Sequence, residues 1–85
     1  MWIVSDFAGM EDYSVVLINI GSKLMQLRIK DGHKSYESFA LENNLSRMQY
    51  WRIEKGKTNL TIKSLTRILD IHNITVEEFF KKDKF

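Results

Sequence analysis

The sequence predicts an all-α protein, a compact bundle of five short helices. Three observations carry that expectation. Apolar residues recur at three- and four-residue spacing through the middle and end of the chain. Helix-starting residues stand ahead of those stripes, and Gly or Asn residues close several of them. The 85 residues contain no proline and no cysteine.

The elements follow in order. Ile20, Leu24 and Leu27 fall at i, i+4 and i+7, one stripe of a first helix. That helix ends near Asp31-Gly32, where glycine accepts the left-handed conformation of a helix stop. Ser35 is a good N-cap for a second helix that buries Phe39 and Ala40. Asn43-Asn44 ends it, because Asn tolerates a tight left-handed turn better than most residues. Ser46 opens a third helix, and Gln49 three residues later gives the Ser-x-x-Gln form of a capping box. Tyr50 and Ile53 share its inward face, and Gly56 closes it. Thr61 caps a fourth helix with Leu65, Ile68 and Leu69 as its core stripe. Thr75-Val76-Glu77-Glu78 is a second capping box, opening a fifth helix that docks through Phe79 and Phe80. The expected core is Phe39, Tyr50, Ile53, Leu65 and Leu69. Met1 to Val4 and Val15 to Ile18 are the alternatives to helix, as short apolar strands.

Size and composition exclude several classes. A chain this short holds one domain. It buries only about 60% of its unfolded surface, leaving little material for an enclosed substrate pocket. Without cysteine there is no disulfide framework and no Cys-based zinc site. His33 and His72 lack partners at ligand spacing, so no metal and no cofactor is expected. No nucleophile–base pairing or phosphate-cradling glycine loop is present, so an enzyme is not expected. No apolar run approaches the roughly 20 residues of a membrane span. Met1 to Val4 carry no positive charge and are followed by acids, unlike a signal peptide. The expectation is a cytoplasmic protein without a membrane partner.

The net charge of +2 is unevenly spread. Residues 1–17 hold three acids and no base (−3), residues 18–67 ten bases and four acids (+6), and residues 68–85 three bases and four acids (−1). A positive middle segment favours a polyanion partner, although lysines also serve simply to solvate helix faces.

Residues 35–56 read Ser-Tyr-Glu-Ser-Phe-Ala-Leu-Glu-Asn-Asn-Leu-Ser-Arg-Met-Gln-Tyr-Trp-Arg-Ile-Glu-Lys-Gly. This stretch resembles the helix-turn-helix of the Cro and phage-repressor (XRE-type) family, and the resemblance runs from about Ile20 to Phe80. Ala40 matches the small residue at the helix crossing, Asn44 the turn residue, Leu45 the apolar residue after it and Ser46 the cap. Arg52-Ile53-Glu54-Lys55-Gly56 matches the closing Arg-Ile-Glu-x-Gly, and the Gly56-Lys57-Thr58-Asn59 loop also matches. The resemblance implies a lambda-repressor-like bundle that binds double-stranded DNA, with the helix at residues 46–55 in the major groove. Arg can take a guanine edge bidentately and Gln an adenine edge, which suits Arg47 and Gln49. The alternative for both is solvated surface or phosphate contact alone. Met48 touches a thymine methyl or packs incidentally. Trp51 stacks on DNA or covers the core edge. Arg52 binds phosphate or pairs with Glu37 or Glu42. Lys57, Thr58 and Asn59 would hold phosphates without reading sequence. The resemblance also pairs Arg28 with Glu54. Tyr36 stands where many members carry a Gln that contacts the DNA backbone, and its hydroxyl would reach a phosphate instead. Leu60 replaces a common Pro.

The division of the chain follows: an extension at residues 1–14, the helix-turn-helix domain at residues 15–81 and a tail at residues 82–85. Within the extension, Met10 as an alternative start leaves Met1 to Gly9 as upstream-translated or mobile sequence; alternatively Trp2, Ile3, Val4 and Phe7 form an arm that packs on a partner subunit. Phe79, Phe80 and Phe85 pack internally or join a dimer interface. The expected function is a sequence-specific transcriptional regulator, acting as a homodimer on half-sites about one helical turn apart. The alternatives are an antitoxin with a toxin partner, and a protein-interaction module that uses the same fold without reading DNA.

Overall fold

In a computed structural model, described over residues 12–81, the chain forms five helices: α1 (Tyr13–Lys30), α2 (Tyr36–Glu42), α3 (Arg47–Glu54), α4 (Ile62–Ile71) and α5 (Val76–Phe80). The strand, arm and packing expectations for Met1 to Val4, Trp2, Phe7 and Phe85 fall outside the described residues.

Every helix opens on a side-chain oxygen. Asp12, Ser35, Ser46, Thr61 and Thr75 accept from the backbone N–H groups of Ser14, Ser38, Gln49, Ser64 and Glu78. Each satisfies a donor that the helix leaves open, and each stabilises by about 1 kcal/mol. The Thr75–Glu78 box is complete in both directions. At Ser46 only the forward bond forms, at 3.3 Å. There the sequence-based box is corrected to a simple cap, and the Gln49 side chain is left exposed.

The first four helices also end alike. Gly32, Asn44, Gly56 and Asn73 have φ of 93°, 60°, 69° and 57°. In each case the next N–H reaches back five residues: His33 to Arg28, Leu45 to Ala40, Lys57 to Arg52 and Ile74 to Leu69. This is the Schellman arrangement, which satisfies otherwise orphaned carbonyls.

The helix α1 starts at Tyr13, well ahead of the Ile20 stripe. Val15 to Ile18 are therefore helix and not strand, and Tyr13 and Ser14 lie in its first turn. The buried core comprises Leu24, Leu27, Phe39, Ala40, Tyr50, Leu65, Ile68, Leu69 and Phe79. Ile53 is only partly buried against that core. Phe80 is half exposed, so of the two rings only Phe79 is buried, and Val76 packs beside it to dock α5. Adjacent helix positions lie about 100° apart, and one face cannot bury both rings.

The helix α3 packs on both α1 and α2, and α4 packs on α5. Gly21 makes the α1–α3 crossing possible, because a Cβ there would overlap the carbonyls of Ile53 and Glu54. One turn earlier, a Cβ on Gly56 would lie 2.7 Å from the Ile18 Cα. His72 is a buried part of the interior. Its side chain is 1% exposed and faces the Asp31 carboxylate through Nδ1. Its ring stacks on Phe39 at 5.3 Å.

Candidate nucleic-acid interface

The helix pair α2–α3 and the loop after α3 make the site. Its turn is fixed by Asn44, whose positive φ turns the chain between the two helices. Arg67 of α4 braces that turn by donating to the Asn44 carbonyl at 3.0 Å. Sequence reasoning missed this contact, since nothing local ties residue 67 to residue 44. Ala40 is fully buried beneath the turn.

On α3, Tyr50 anchors the inner face at 1% exposure, with Ile53 beside it. That leaves Arg47, Met48, Gln49 and Arg52 exposed and Trp51 half-buried. Arg47 meets Glu37 of α2 at 3.4 Å, and both side chains are more than half exposed. Such a pair contributes about 0–1 kcal/mol and is readily exchanged for another anion. Glu42 faces His33 at 3.8 Å. Arg52 has neither acid as a partner among the described residues. Lys57 Nζ stands 5.9 Å from the centre of the Trp51 ring, within cation–π range. Tyr36 is half-buried, its side chain packed against the core. Thr58 is half-buried and Asn59 exposed. Arg47 borders a cleft with Glu37 and Leu41 of α2, and Gln49 borders one with Ser64 and Arg67 of α4, so the two flank the outward side of α3.

Behind α3, Arg28 and Glu54 form a buried ion pair. Nε donates to Oε2 at 2.7 Å and Nη2 to Oε1 at 3.1 Å, with side chains 6% and 4% exposed. Arg28 Nη1 also donates to the His33 carbonyl at 2.8 Å. The guanidinium thus ties α1 to the end of α3 and to the loop before α2. Its hydrogen bond to Glu54 holds Arg28 protonated beyond the ordinary arginine range, against the opposing effect of burial. Burial pushes the pKa of the neighbouring Tyr50 hydroxyl far above its usual value, so it stays protonated, and the Glu54 carboxylate acts in the same direction. That hydroxyl has no hydrogen-bond partner among the described residues.

No group of three or more His, Cys, Asp or Glu side chains is placed to hold a metal ion among the described residues. No described helix is long and apolar enough to cross a membrane.

Two curated proteins resemble the chain. It is 38% identical over 65 residues to the control protein C.MunI of a Mycoplasma species, a match covering 76% of this chain and 88% of that protein. It is 47% identical over 45 residues to the plasmid copy control protein CopR of Streptococcus agalactiae, covering 53% of this chain and 49% of that one. No family model and no solved structure matches it. With a relative matched over nearly its whole length, a five-helix fold and the helix-turn-helix signature in place, the chain belongs to the Cro/phage-repressor (XRE-type) helix-turn-helix family of DNA-binding transcriptional regulators.

Proposed function

We propose that the protein binds a two-fold-symmetric operator as a homodimer, each copy inserting α3 into the major groove. The observation that carries this is the division of α3. Tyr50 and Ile53 anchor its inner face, while Arg47, Met48, Gln49 and Arg52 are left in solvent. Arg47 and Gln49 read base edges, and Met48 and Trp51 supply apolar contact to thymine methyls or sugars. Arg52, Lys57, Thr58 and Asn59 hold phosphates and fix the register. When DNA arrives, the exposed Glu37–Arg47 pair opens at small cost. One α3 spans only a few base pairs, so two copies a helical turn apart supply the affinity that one lacks.

Selection from a randomised duplex library at low and moderate salt tests this reading. An enriched motif with two-fold symmetry is the expected result. Retention without enrichment, vanishing as salt rises, would reduce the site to a phosphate-binding face. No retention at either salt would overturn the reading in favour of a protein partner.

A further inference from the structure

The first turn of α1 reaches the loop that follows α3. Tyr13 Oη donates to Asn59 Oδ1 at 2.5 Å, joining residues 46 positions apart. Two neighbouring features make this contact more than a chance meeting of surface groups. Asp12 caps the turn that carries Tyr13, its Oδ1 accepting from the Ser14 N–H at 2.9 Å. Five residues further along α1, Ile18 lies against Gly56 so closely that no side chain fits there. Tyr13, Ser14 and Leu17 therefore line one shallow cleft with residues 56–59. The Tyr13 ring is 59% exposed, so burial does not explain its position. What it offers the loop is a hydroxyl.

We propose that Tyr13 is a positioning residue for DNA binding, holding Asn59 so that its amide nitrogen faces a backbone phosphate. This rests on the reading of residues 57–59 as phosphate contacts. An asparagine amide has an accepting end and a donating end, and a phosphate only accepts. With the wrong end outward, Oδ1 would face the phosphate and repel it. The Tyr13 phenol engages Oδ1, and Nδ2 is left with no partner among the described residues. The free amide otherwise samples both orientations, and ordering it on binding costs affinity. Tyr13 supplies that ordering in advance, from an element outside the helix-turn-helix itself.

The test is a double-mutant cycle on the 85-residue chain, using Tyr13→Phe, Asn59→Ala and the combined variant. Anisotropy titrations use the selected operator and an unrelated duplex, with melting temperatures measured alongside. Tyr13→Phe removes only the hydroxyl. Its expected effect is an affinity loss of about 3- to 10-fold, the scale of one net hydrogen bond. The loss should be equal on both duplexes, because a phosphate contact carries no sequence information. It should vanish in the Asn59→Ala background, with the melting temperature of Tyr13→Phe unchanged. Wild-type affinity in Tyr13→Phe would overturn the proposal. So would an equal loss with and without Asn59, or a melting temperature that falls in step with affinity. Failure of the wild-type protein to bind any duplex would instead remove the DNA-binding reading on which the proposal rests.

Discussion

Replacing Glu54 with Ala should be the most damaging single polar substitution at the α1–α3 junction. It strands the Arg28 guanidinium, whose side chain is 6% exposed. Two of the three hydrogen bonds made by that guanidinium go to Glu54, and the third, to the His33 carbonyl, does not neutralise its charge. Hydrogen bonds to charged groups contribute about 1.5–3 kcal/mol each, so losing two costs roughly 3–6 kcal/mol. Breaking a buried pair from one side typically costs about 3–5 kcal/mol, which agrees. A domain of this size has a total stability of only about 4–13 kcal/mol. Each 1 kcal/mol shifts its melting temperature by about 4–8 °C. The expected fall is therefore roughly 12–40 °C, read by thermal and urea unfolding followed by circular dichroism. A double variant, Arg28→Met with Glu54→Leu, removes both charges and should recover most of the loss. A cost below about 1 kcal/mol for Glu54→Ala is the value of a surface pair. That result would refute the burial argument.

Three further outcomes are expected. Arg47→Ala should lower DNA affinity by about 1–3 kcal/mol and relax preference at one base position, whereas Lys57→Ala should weaken all sequences evenly and flatten the salt slope by about one unit. Titration of both variants against matched and mismatched duplexes separates the two; identical behaviour would show that their roles are wrongly divided. Gly21→Ala should destabilise by about 1–3 kcal/mol or more, because its methyl overlaps rigid backbone carbonyls and not a movable side chain; chemical denaturation reads this directly. Asn44→Gly should be neutral or slightly stabilising, since glycine adopts its φ of 60° without penalty. A large loss of stability there would mean that the Asn44 side chain itself does work in the turn.

Local chemistry made much of the fold legible. Ser35, Ser46, Thr61 and Thr75 each cap the helix expected of them. Gly32, Asn44 and Gly56 each turn where a left-handed residue is needed. The matching turn at Asn73 carries the same chemistry, with no glycine or paired asparagine in the sequence to mark it. His72 in fact lies inside, against Phe39 and Asp31. Its burial depends on residues more than 30 positions away, and no periodicity in its own segment reports that. The same limit applies to Gly21, which reads as a weak point in a helix until α3 is laid across it. It also hid the early start of α1, where polar Asp12 and the apolar run Val15 to Ile18 fit a strand as well as a helix. The candidate site was legible to the extent that it is local. The outward face of α3 follows from the inward positions of Tyr50 and Ile53, while the Glu37–Arg47, Arg67–Asn44 and Tyr13–Asn59 contacts all join separate elements.

The two faces of α3 have different obligations. Its start is held by Ser46, its inner face by Tyr50 and Ile53, and its end by Glu54 and Gly56. None of these duties falls on residues 47, 48, 49 or 52. Surface substitutions free of such duties usually change stability by no more than about 0.5 kcal/mol. Those four positions can therefore be rewritten almost independently of folding. A lineage built on this scaffold can change its target one side chain at a time without passing through an unfolded intermediate, and a designer can randomise the same four positions and expect most of the library to fold.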